Sequence, residues 1–134
     1  MRRAYTLLSA LTGSVALLAL ADPAAAAERK AFEPASFAAA QAAGAPILVD
    51  ISASWCPTCK AQKPIIDALA REPANDDLII FEVDFDSQKP VVRDFGARSQ
   101  STLIAFNGKT ETGRSVGDTN PKSIAALVNS ALPK

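Results

Sequence analysis

The chain has 134 residues, with 14 basic side chains balancing 14 acidic ones, and no histidine. No basic run occurs, and no interleaving of basic with aromatic residues, so a nucleic-acid partner is disfavoured. Its two cysteines, without histidine, supply only half of a four-ligand zinc site.

The N-terminal segment reads as an export leader. Arg2 and Arg3 form a short basic start, Leu7 to Leu20 is apolar, and Ala24 to Ala27 offer small residues for cleavage. A membrane span needs about 20 apolar residues, more than this stretch holds. A signal peptide over residues 1–27 is therefore expected, cut after Ala26 or Ala27, with an uncleaved signal anchor as the alternative. The arginine pair hints at the twin-arginine route but fits an ordinary leader too. Export places the protein in the periplasm or among secreted proteins. A cut after Ala27 leaves 107 residues, 12 basic and 13 acidic, enough for one domain over 28–134.

Within that domain, residues 28 to 33 are polar and read as frayed. A helix is expected from Pro34 to Ala43, stopped at Gly44, with Phe32, Phe37 and Ala40 inward. Ile47 to Ser52 is an almost unbroken apolar run, the pattern of a central strand covered on both faces. A second helix follows from Pro57 to Arg71, with Ala61, Ile65, Ile66 and Leu69 inward and Pro64 as a bend. Leu78 to Val83 is the next strand, parallel to the first because a helix joins them. A short helix is expected over Lys89 to Phe95. The strands Thr102 to Phe106 and Thr110 to Ser115 flank Asn107-Gly108, a strong hairpin signal. A last helix spans Pro121 to Leu132, with Ile124, Leu127 and Val128 toward the sheet. Strands alternating with helices and closing in a hairpin indicate an α/β domain.

Between the first strand and the second helix lies Trp55-Cys56-Pro57-Thr58-Cys59, holding both cysteines. The first N–H groups of a helix lack internal partners and carry positive potential. A thiolate at Cys56 is stabilised there, and its pKa is lowered. Cys59 is one turn on, within reach of a disulfide. The pair reads as a reversible dithiol. A structural disulfide closing so short a loop would gain little entropy, and two inert thiols leave the flanking Trp55 and Pro57-Thr58 without a purpose.

From about Phe32 to Leu132 the chain resembles the thioredoxin superfamily. The resemblance is carried by the Cys-x-x-Cys pair, Asp50 six residues before it, Trp55, Pro64 and Val116-Gly117. It implies a thioredoxin fold, a central mixed sheet of about four strands flanked by helices. It also implies a thiol–disulfide oxidoreductase in which Cys56 is the exposed nucleophile and Cys59 resolves the mixed disulfide. Asp50 would sit beneath Cys59, its pKa raised by burial, and move that thiol's proton. The lysine that thioredoxins usually place near this aspartate is replaced by Glu82.

Trp55, Pro57, Gln100, Ser101 and Gly117 would face the substrate. Ser101 stands where the family carries a cis-proline, so a trans Gln100–Ser101 peptide is expected. Its hydroxyl is a candidate partner for the Cys56 thiolate, and Ser101→Pro is expected to fold. No cofactor or resident metal is implied. The expected partners are protein disulfides or dithiols and a membrane-bound redox protein, with the chain a monomer. A periplasmic copper(I) carrier using the same two thiolates is the alternative.

Overall fold

A computed structural model describes residues 26–134, so most of the expected leader lies outside the described residues. The elements in chain order are β1 (Glu28–Ala31), α1 (Pro34–Ala42), β2 (Pro46–Ser52) and α2 (Pro57–Ala70). A 3-10 turn (Pro73–Asn75) leads to β3 (Ile79–Asp84) and α3 (Lys89–Asp94). The chain ends with β4 (Thr102–Asn107), β5 (Thr110–Val116) and α4 (Pro121–Ala131). The strands form one mixed sheet in the order β1-β3-β2-β4-β5. β1 and β2 both run parallel to β3, while β4 is antiparallel to β2 and to β5.

The mixed sheet flanked by helices is as expected, and it has five strands where about four are read from the sequence. The added strand is β1, in the segment read as frayed; Glu28 to Ala31 pair in register with Ile79 to Glu82. A four-residue edge strand with three charged residues has no apolar alternation to betray it. Its stability comes from backbone pairing with β3 and from the next residue, Phe32, which is buried.

β2 is the middle strand, and its residues alternate between two buried layers. Ile47, Val49 and Ile51 enter the α1/α3 layer, where Phe32, Phe37, Phe81, Phe95 and Phe106 meet at tilted or edge-to-face angles. Leu48 enters the other layer with Ile80 and Leu103, under Ile66 and Leu69 of α2 and Ile124 and Val128 of α4. By the same alternation Asp50 points toward α2. The expected inward face of α2 is turned by one residue at its start, since Gln62 is buried and Ala61 is exposed.

At the hairpin, Gly108 adopts φ +55° and a Cβ there would lie 3.1 Å from the Gly44 Cα. Both the turn and the close approach therefore require glycine.

Phe81 is fully buried and touches two other rings. Phe81→Ala should lower unfolding free energy by about 3–5 kcal/mol in urea denaturation. Val116→Ala, at a side chain 63% exposed, should stay within about 0.5 kcal/mol of the parent.

Candidate active site

α2 opens at the carboxyl end of β2, and Cys56 is its N-cap, with extended backbone at φ −83°, ψ 112°. Its Sγ accepts the Cys59 N–H at 3.0 Å, satisfying one of the orphan donors of the first turn. Pro57 follows at a position where its missing N–H costs no bond. Cys56 and Cys59 are joined as a disulfide across a Cα–Cα distance of 5.3 Å. This bridged state reverses the expected exposure: Cys56 is 1% exposed, whereas Cys59 is half-buried. The N-cap geometry turns the Cys56 sulfur back onto the helix end, away from solvent.

Asp50 is 8% exposed and shares an open cleft of about 330 Å³ with Arg29, Cys59, Lys60, Lys63 and Glu82. Burial is the main force on its carboxyl and raises its pKa to about 6. The Arg29 guanidinium pulls the other way, while the Glu82 carboxylate, its register partner on β3, adds to the rise. Arg29 also bonds Glu82 at 2.7 Å and Asp67 at 2.8 Å, and Lys63 bonds Asp67 at 2.9 Å. The cation beside the aspartate is thus present, supplied from β1.

Trp55 is 54% exposed, so it is not a core side chain, and its Nε1–H donates to Asp86 Oδ2 at 2.7 Å. Across the site, the Gln100–Ser101 peptide is trans, and Ser101 adopts φ +55° while almost wholly buried. Its hydroxyl donates to the Gln100 carbonyl at 2.6 Å, not to a cysteine. The Ser101 carbonyl accepts the N–H of Gly117, itself at φ +71°. Gln100 is half-buried, Pro57 is exposed, and Val116 beside Gly117 is exposed too. Among the described residues no cluster of three or more His, Cys, Asp or Glu side chains could hold a metal ion.

A bridged Cys-x-x-Cys at a helix start, above a buried aspartate on the central strand, is a dithiol–disulfide centre. The thioredoxin family model matches residues 28–130. The chain belongs to the thioredoxin family. Thioredoxin of Chlamydia muridarum is 36% identical over 83 residues, covering 62% of this chain and 79% of the relative. Thioredoxin of Mycobacterium tuberculosis is 32% identical over 88 residues, covering 66% and 75%. Among solved structures, Trxlp from Edwardsiella tarda superposes with a TM-score of 0.73 at 40% identity, covering 75% of this chain and 98% of that one. The protein is a thioredoxin-like thiol–disulfide oxidoreductase.

Two residues of the thioredoxin site escaped sequence reasoning. Arg29 lies in the strand that was not foreseen. Gln62 is 1% exposed and donates from Nε2 to the carbonyls of Ser101 and Asp118. Its spacing with Ile66 and Leu69 on the inward face of α2 was the available signal.

Two outcomes follow from this geometry. The Asp50 carboxyl takes up its proton more readily folded, at about 6, than unfolded at about 3.9. Above pH 6 the folded protein therefore holds a charge that burial disfavours, and this cost fades as pH falls toward 4. Asp50→Asn should stabilise the protein by up to about 3 kcal/mol at pH 7.5 and by little at pH 4, read from urea unfolding at both values. Ser101→Pro should destabilise, because proline is held near φ −65° and cannot take the φ +55° found at this position. A fall in thermal midpoint checks that outcome.

Proposed function

We propose that this oxidoreductase is exported and exchanges its dithiol with disulfides of protein substrates. The observation that carries the reading is the Cys56–Cys59 bridge at the first turn of α2, where the helix field favours a Cys56 thiolate once the bridge opens. In the reductive direction, Cys56 attacks one sulfur of the substrate disulfide and the substrate's other sulfur leaves as a thiolate. Cys59 gives its proton to Asp50 and attacks the Cys56 sulfur. The Cys56–Cys59 bridge closes, and the second substrate thiolate leaves and is protonated. Two electrons pass from the dithiol to the substrate; the oxidative direction reverses each step. Buried, and with its pKa raised by that burial to about 6, Asp50 is suited to hold the proton between these steps.

Trp55 and Val116 are the exposed large apolar side chains of the described residues. They are suited to flank an extended substrate segment that pairs with backbone of the Gln100–Ser101 loop. The leader of residues 1–27 supports export to the periplasm or beyond. A cut after Ala26 keeps the Ala27 N–H, which bonds the Ala70 carbonyl at 2.8 Å. In that compartment a membrane-bound dithiol protein would regenerate the working state, and the chain would act as a monomer. Among the described residues, the copper(I)-carrier reading finds no histidine, methionine or further cysteine beside the two thiolates.

The test is reduction of insulin disulfides with dithiothreitol as electron source. The parent should catalyse it, and Cys56→Ala should abolish it. Cys59→Ala should accumulate mixed disulfides through Cys56 on non-reducing gels. A Cys59→Ala protein that traps nothing would remove the attack-and-resolve scheme.

A further inference from the structure

Ser101 presents a conformational problem that a proline would not. Its backbone sits at φ +55°, a region that a residue with a Cβ enters only where its surroundings impose it. Two donors do so here. The Ser101 carbonyl accepts the Gly117 N–H at 2.9 Å and the Gln62 Nε2–H at 3.3 Å. The same Gln62 amide donates to the Asp118 carbonyl at 2.8 Å. One side chain therefore ties α2, three positions past Cys59, to two backbone segments at the end of the sheet where β2 leads into the Cys56 turn. It is 1% exposed, and its Oε1 is buried with no hydrogen-bond partner. An orphaned buried oxygen costs stability that a methionine of similar length would not. The two bonds from Nε2 and the unpaired Oε1 act on stability in opposite directions, so stability does not by itself select glutamine at this position.

We infer that Gln62 is a positioning residue for substrate docking, holding the Ser101 loop and the Gly117–Asp118 turn in the shape that receives an extended protein segment. Without a proline ring, the loop's shape depends on this amide. The inference rests on the protein-disulfide reading above and deepens it: Gln62 sets which substrates dock and leaves the thiol chemistry to Cys56 and Cys59.

The experiment compares the parent with Gln62→Met on two substrates, insulin and a small aromatic disulfide (dithiobis-nitrobenzoate) that needs no loop pairing. The KM for insulin should rise about three- to ten-fold, the worth of one hydrogen bond. The kcat for insulin and the rate with the small disulfide should stay within about two-fold, and the thermal midpoint should stay close to the parent's, because the two bonds lost and the orphaned oxygen removed offset one another. An unchanged KM overturns the inference. So does an equal loss on both substrates, which would place Gln62 in the chemistry. Failure of both Gln62→Met and Gln62→Leu to fold would make the amide structural and overturn it as well. A parent that reduces the small disulfide but not insulin would sink the protein-substrate reading, and this inference with it.

Discussion

The site depends on the burial of β2 along nearly its whole length, with pairing on both edges. All but the last residue of the strand is buried, and it is hydrogen-bonded to β3 on one side and β4 on the other. A strand so constrained delivers the chain to one point at the sheet's carboxyl end. There Ala53 accepts the Cys56 N–H and α2 begins. The thiols are therefore placed by the best-packed part of the molecule, while the groups around them come from loops and an edge strand. Rigid placement of the reacting atoms with adaptable surroundings is the division of labour that exchange with varied partners asks for.

That arrangement makes the electrostatics a matter of the sheet's edge. Asp50 is costly inside the central strand, and the largest charge acting on it is that of Arg29, two strands away in the order β1-β3-β2. Arg29 is shared among Glu82, Asp67 and the field at Asp50. Partly solvated pairs of this kind add little to stability. Their effect falls on the aspartate's proton affinity.

Much of this was legible in the sequence because it follows from period and burial. The unbroken apolar runs of β2 and β3, Pro57 at the helix start, and Asn107-Gly108 at the hairpin each name their structure. The cysteine pair with Asp50 and Trp55 at their offsets names the chemistry. What was not legible depends on contacts far apart in the chain. β1 is held by main-chain bonds to residues some fifty positions on, and such bonds leave no trace in side-chain pattern. The burial of Cys56 reflects a sulfur turned onto its own helix, which a helix wheel does not show. The conformation of Ser101 is imposed by Gly117 and Gln62, each hydrogen-bonding a backbone group from another element.

The phenylalanine-lined layer on the α1/α3 face has a chemical as well as a mechanical meaning. The chain's one methionine and one tyrosine are Met1 and Tyr5, and it has no histidine. The folded domain is thus packed from phenyl rings and aliphatic side chains, without the thioether that peroxides convert to a polar sulfoxide. Among the described residues, peroxide finds soft sulfur only at Cys56 and Cys59. A protein built to handle electrons at one pair of atoms can thus meet repeated oxidising challenge without sulfoxide formation loosening its core.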